Sequence, residues 1–361
     1  MINQSVIRTP VEITLRTELE ALKKEDKLSK KPDNWFLSPK KVLKFILGGE
    51  TEDGYHISKK FYGDDIQISR IIASLASDRA ILLIGEPGTA KSYLSEHLAA
   101  AISNNSSNTI QGSAGISEDS IKYSWNYALL LAKGPSEESL IPAPVYSGMK
   151  NGIITRFEEI TRCPPETQDT IISILSDKIL NIPELPAPMN ILLAKKGFNI
   201  IATANTRDRG VNEMSAALKR RFNFETINPL TNIDEEVTLV NDQVQKYLEI
   251  HAIKQEVPMD IIELLVTIFS ELRSGETKDG IKIERPAVTM STAECVDTTI
   301  HSAVLAHYFE TPLERSSVIA LCGVIKDNPE DLKRIQTYFD VFVKKRKGIW
   351  QEIFKAKEFI R

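Results

Sequence analysis

The sequence predicts an α/β domain followed by an almost wholly helical region, and three observations carry that prediction. The apolar run 81–84 (ILLI) leads into GEPGTAKS at 85–92 and then SYLSEHLAAAI, which reads as strand, glycine-bearing loop and helix. Two further apolar runs, GIITRFEEITR and FNIIATAN, end in polar residues and read as additional core strands. Past Pro229 nearly every stretch has helical periodicity.

The loop at 85–92 is the first chemical element. Lys-Ser at the start of a helix, after a strand and a glycine-bearing turn, is the context a phosphate-binding loop requires. Backbone N–H groups along Gly85, Glu86, Pro87, Gly88, Thr89 and Ala90, with the helix N-terminus through Tyr93, form an anion cradle. Lys91 is placed to reach the β- and γ-phosphates of ATP, and the Ser92 hydroxyl to ligate Mg²⁺. The usual GxxxxGKS/T pattern has glycine before the lysine, where this chain has Ala90. The alternative is a glycine-rich strand-to-helix turn with no ligand.

Composition narrows the class. At 361 residues the chain has room for two or three domains, and 42% hydrophobic with 26% charged residues suits a globular protein. A net charge of −4 gives no electrostatic reason for nucleic acid or an anionic membrane as main partner. No apolar run approaches the roughly 20 residues a membrane span needs, and the N-terminal stretch lacks the apolar core of a signal peptide. Cys163, Cys295 and Cys322 have no metal or redox spacing, which points to a reducing, cytoplasmic setting.

In chain order, Thr9-Pro10 opens an amphipathic helix expected to run to Asp26, and Ser38-Pro39 a second one stopped by Gly48-Gly49. Phe61, Tyr62 and Gly63 precede the helix leading to the first strand, and are placed against the adenine or, alternatively, in the core. ISEDSIKYSWNYALLLAKGP reads as a helical insertion carrying Trp125 and Tyr127, and 178–182 as half of a hairpin with the stretch before Phe198. A capping box, Ser291 with Glu294, opens one of the C-terminal helices. The basic run 344–347 reads as a solvated surface.

The second chemical element is the pair Glu158-Glu159 at the end of its strand. One acid holds the metal, and the next orients and polarises the attacking water. Arg156 interrupts the apolar pattern of that strand, and glutamate stands where aspartate is commoner. Asn205 ends the next strand, where an amide can orient the water or simply form a turn. VNEMSAALKRRFNFE gives a short helix ending in Lys219, Arg220 and Arg221, explained either by the helix dipole or as an arginine finger offered to a neighbouring subunit, with Arg207 and Arg209 weaker candidates.

The ordered set GEPGTAKS, FEEITR, ATANTRDRG, AALKRRF and a helical tail resembles the AAA+ ATPases, and within them the MoxR-like branch, whose loops often read GxPGxAK. The resemblance spans about 59–309 and leaves the last fifty residues unmatched. It implies a P-loop AAA+ core, a parallel sheet between helices, at 59–229 and a helical lid after it; the helical patterns on either side, also unmatched, give an N-terminal helical extension at 1–58 and make 230–361 the lid together with C-terminal helices. By the same resemblance Lys91 and Ser92 are Walker A, Glu158 and Glu159 Walker B, Asn205 sensor 1, and Arg221, with Arg220, the finger; no sensor 2 arginine opens the MSTAEC helix, and Arg285 is the nearest substitute. It further implies Mg-ATP hydrolysis in a homo-oligomeric ring, a hexamer, that remodels a partner protein with a von Willebrand factor A domain. The alternatives are a ring motor serving nucleic acid, like the McrB-like GTPases, and a slow nucleotide switch.

Overall fold

The computed structural model describes residues 6–205, 212–325 and 328–360. The chain divides into two compact units, Met1–Glu86 with Ala90–Ile227, and Pro87–Thr89 with Asn228–Arg361.

The first unit is built on five strands: β1 Ala80–Gly85, β2 Thr109–Gln111, β3 Ile154–Glu158, β4 Asn199–Asn205 and β5 Phe222–Thr226. They lie in the order β5-β1-β4-β3-β2, and every pairing is parallel. From β1 the chain crosses to the far edge at β2, returns through β3 to β4 beside β1, and adds β5 on the other side. Parallel strands covered on both faces read as continuous apolar runs, as β1 and the middle of β4 do, while β3 is buried throughout although Thr155, Arg156 and Glu158 interrupt its apolar pattern. Alternate residues feed two cores. Ile81, Leu83 and Ile201 join Ile68, Ile71, Leu94 and Leu98 of helices Asp65–Ala76 and Lys91–Ser103. Leu82, Phe157, Ile200 and Ala202 face Tyr146, Met149, Ile171 and Ile174 on the opposite side.

The N-terminal helices belong to the first of these cores, through Leu19, Leu22, Val42, Phe45 and Ile46. The helix expected to run unbroken from Pro10 to Asp26 is divided at Leu15 into Val11–Thr14 and Arg16–Glu25. The Thr14 hydroxyl lies 2.7 Å from that of Thr9 and 3.2 Å from the Pro10 carbonyl, a local bond that competes with helix continuation. The second helix, Pro39–Leu47, starts and stops where the sequence places it, with Gly48 at φ 80° ending it. The insertion is only partly helical. Tyr123–Trp125 pairs antiparallel with Leu140–Pro142, so Trp125 lies on a strand, and Asn126 caps the helix Tyr127–Lys133 through its side chain. The expected hairpin forms between Ile179–Asn181 and Ile191–Leu193.

The second unit is helical, with Val240, Val244, Leu265, Phe269, Ile335 and Phe339 in its core. The capping box of Ser291 and Glu294 is present at the start of Thr292–Phe309. Arg346 departs from the expected solvated run: it donates to Glu271 Oε1 at 2.6 Å and stacks over Trp350. Tyr338 gives its hydroxyl to the other oxygen of the same buried carboxylate at 2.6 Å, and burial and Glu271 push its phenol up. A second buried carboxylate, Glu236, accepts from Arg273 at 2.6 and 3.0 Å and from Thr292 at 2.6 Å. Glu236→Ala leaves that arginine without its counter-charge, and a loss of about 3 kcal/mol is expected in denaturant unfolding.

Candidate nucleotide-binding site

Strand β1 ends at Gly85, and helix Lys91–Ser103 begins six residues later. Within the loop, Gly88 and Ala90 both have positive φ, 75° and 63°. Ala90 is the N-cap of the helix and gives it no side-chain bond; a helix start of this kind favours an anion. A non-glycine residue in the left-handed region carries strain of about 1 kcal/mol. Ala90→Gly is therefore expected to raise the melting temperature by about 2–4 °C, readable by calorimetry. Lys91 is buried, and its ammonium donates to the carbonyls of Gly85 at 3.2 Å and Glu86 at 2.6 Å. Tyr93, two residues on, packs its ring at a tilt against His97, 4.0 Å between ring centres.

Glu158, the last residue of β3, is buried and fully engaged. Its Oε2 accepts from Ser92 Oγ at 2.5 Å and Thr203 Oγ1 at 2.8 Å. Its Oε1 accepts from Ser95 Oγ at 2.5 Å and from the Arg156 guanidinium at 2.8 Å. Glu159 differs in every respect. It sits at φ 53°, is partly exposed, and meets Arg162 Nε at 2.9 Å. Its N–H is held by Thr203 Oγ1 at 2.9 Å. Gly112 makes this turn possible, since a Cβ there would lie 2.2 Å from the Glu159 carbonyl oxygen.

Sheet register places Asn205 opposite Gly85, so the carboxyl ends of β1, β3 and β4 bring Gly85, Glu158, Glu159 and Asn205 to one edge. Crevices at that edge of a parallel sheet are where ligands bind. Arg220 and Arg221 are not brought there. They immediately precede Phe222, which pairs with Ala80 at the amino end of β1, about 16 Å from Gly85 along the strand. Arg221 donates to Ser176 Oγ at 2.7 Å and to the Ala217 carbonyl at 2.6 Å. Phe61 is buried in the core, its ring filling the space beside Gly63, while Tyr62 is half-buried with Lys59 over its ring at 4.6 Å. Arg285 donates to the Ser274 carbonyl. Arg207 and Arg209 lie outside the described residues. Sequence reading missed Ser95, Thr203 and Gly112; the spacing of Ser92 and Ser95 on one helix face was the available signal.

The description "AAA domain (dynein-related subfamily)" matches residues 80–222, from the first residue of β1 to the first of β5. The description "YehL-like AAA+ ATPase C-terminal domain" matches 234–361. The uncharacterized protein YehL of Escherichia coli (strain K12) is 44% identical over 360 residues, covering 98% of each chain. This chain belongs to the YehL-like AAA+ ATPases, of the MoxR type. The last fifty residues, unmatched in the sequence reading, thus fall in a domain of the YehL-like family. An uncharacterized protein of Staphylococcus aureus is 28% identical over 175 residues, 46% of this chain and 64% of that one. One of Staphylococcus haemolyticus is 30% identical over 147 residues, 40% and 54%. Among solved structures, NtrX from Brucella abortus in complex with ADP is similar with a TM-score of 0.48 at 11% identity, covering 82% of this chain and 64% of that one. This chain therefore spans less than two thirds of the staphylococcal proteins and of NtrX.

The donor set of this YehL-like ATPase fits a magnesium nucleotide. A buried ammonium and an uncapped helix start suit phosphate, and a hydroxyl with a carboxylate 2.5 Å apart suit a hard cation that prefers oxygen. Among the described residues no cluster of His, Cys, Asp and Glu offers an all-protein metal site, and no helix is long and apolar enough to cross a membrane.

Proposed function

We propose that this chain hydrolyses ATP with Mg²⁺ as one subunit of a ring, a hexamer, and uses the cycle to remodel or mature a partner protein. The observation that carries this reading is the meeting of Lys91, Ser92, Glu158, Glu159 and Asn205 at one end of the sheet. Residues 85–93 cradle the phosphates, and Lys91 neutralises the γ-phosphoryl charge as it develops. Ser92 and Glu158 would hold Mg²⁺, which would supply charge neutralisation to the phosphates. Glu159 accepts a proton from the attacking water, and Asn205 orients that water. Tyr62 and Gly63 border the base. Arg221, with Arg220 beside it, serves the site of the neighbouring subunit, because the length of β1 separates it from its own loop. In this reading 59–229 is the catalytic module, 230–361 the lid and 1–58 an extension; the setting is cytoplasmic.

The net charge of −4 favours a protein partner over nucleic acid, and the MoxR type favours one with a von Willebrand factor A domain. Phosphate release measured with ATP and with GTP, in the presence and absence of DNA, tests the reading. Mg-dependent hydrolysis of ATP, indifferent to DNA, is expected. DNA-stimulated GTP hydrolysis would establish a nucleic-acid motor instead, and tight ATP binding without phosphate release a nucleotide switch.

A further inference from the structure

Arg156 is the residue that spoils the apolar pattern of β3, and in the folded chain it is 8% exposed. All of its donors are used. Nε donates to Ser95 Oγ at 3.0 Å, and Nη1 to the Ser106 carbonyl at 2.9 Å and Thr109 Oγ1 at 3.2 Å. Nη2 donates to the Ser92 carbonyl at 3.2 Å and to Glu158 Oε1 at 2.8 Å. Residues two apart on a strand share a face, and residues three apart share one on a helix. Arg156 and Glu158 on β3 therefore meet Ser92 and Ser95 across a single seam.

We propose that Arg156 is a positioning residue for the metal side of the nucleotide site. It occupies Glu158 Oε1 and ties that oxygen to the helix of Lys91, so that Oε2 is the oxygen presented beside the Ser92 hydroxyl. Glutamate carries one more rotatable bond than aspartate, and that bond must be fixed for the carboxylate to serve a cation of strict geometry. The planar, five-donor guanidinium fixes it, because it reaches Ser95, Ser106, Thr109 and Glu158 at once, which a lysine ammonium cannot. The departure from aspartate at 158 and the arginine at 156 are then one device rather than two irregularities. Partners that orient metal ligands are worth about 10- to 100-fold in metal affinity.

This proposal rests on the assignment of Ser92 and Glu158 to Mg²⁺ made above. The test is binding rather than turnover: titration of a fluorescent ATP analogue against the full chain, with and without Mg²⁺, for the parent, Arg156→Met, Arg156→Lys and Ser95→Ala. Affinity without Mg²⁺ is expected to stay within about twofold of the parent, since Lys91 and the loop are untouched. The Mg²⁺ concentration giving half of the binding enhancement is expected to rise at least about tenfold in Arg156→Met, less in Arg156→Lys, and least in Ser95→Ala. An unchanged or lower Mg²⁺ requirement in the Arg156 variants overturns the proposal alone. So does an equal loss of affinity with and without Mg²⁺, which would make Arg156 a structural strut. A parent whose nucleotide binding ignores Mg²⁺ removes the metal assignment, and this proposal with it. Should Arg156→Met not fold, Arg156→Lys and Ser95→Ala carry the same comparison.

Discussion

An Arg221→Ala chain is expected to bind ATP as the parent does and to release phosphate about 10³ to 10⁵ times more slowly. The first half follows from distance. Arg221 lies at the amino end of β5, beside the amino end of β1, while the loop proposed to take the phosphates leaves the carboxyl end of β1. The second half follows from the proposed reaction, in which a neighbour's arginine would add to Lys91 and Mg²⁺ in stabilising the charge developing on the γ-phosphoryl oxygens. Within its own chain Arg221 is tethered to Ser176 and Ala217 by exposed bonds, each worth about 1 kcal/mol, so its release toward a neighbour costs little. Mixing Arg221→Ala with Glu159→Gln is expected to restore activity. In mixed assemblies of the proposed ring, an Arg221→Ala site would keep its own Glu159 and would receive the arginine of a Glu159→Gln neighbour. Mixtures no more active than their components would remove the role in trans. An Arg220→Ala chain that loses turnover while Arg221→Ala keeps it would move the finger by one residue.

The legibility of this protein divides along the range of its interactions. The strand–loop–helix at 80–103 could be read directly, because an apolar run, glycine and Lys-Ser are all local signals. The capping box at Ser291 and the stop at Gly48 were legible for the same reason. What escaped reading depended on partners far away in sequence. Arg156 looked like a flaw in a strand, since Ser95, Ser106 and Thr109, which absorb its charge and donors, lie 47 to 61 residues earlier. β5 was hidden in the tail of a basic helix, although Phe-Asn-Phe alternates as a strand does, because only pairing with β1 gives those five residues a ladder. Arg346 in a lysine-rich run gave no hint that it closes a buried network with Glu271 and Tyr338. Trp125 reads as helical from its neighbours alone because its strand partner arrives fifteen residues later.

Glu159→Gln is expected to lower the rate of ATP hydrolysis by about 10²- to 10⁴-fold and to leave ATP affinity near that of the parent. The two neighbouring acids are chemically unequal, and the expectation turns on that inequality. Glu158 is buried, and its oxygens accept from Ser92 and Thr203 on one side and Ser95 and Arg156 on the other, which suits a fixed metal-side carboxylate rather than a proton acceptor. Glu159 is partly exposed and held in the left-handed region by a turn that Gly112 allows. Its bond with Arg162 lies at the surface, where such a pair contributes less than about 1 kcal/mol. Replacing it with the amide therefore removes a proton acceptor without disturbing the loop, the helix start or the core. A fall in kcat with an unchanged dissociation constant for ATP would assign proton acceptance to residue 159. A parallel loss of affinity would make Glu159 a binding group, and unchanged turnover would return the role to Glu158. The ATP-held Glu159→Gln chain is also the form in which a remodelled partner should accumulate, so its recovery from a pulldown connects the site's chemistry to its output. A chain that retains ATP and captures no protein would count against the remodelling reading while leaving the hydrolytic one intact.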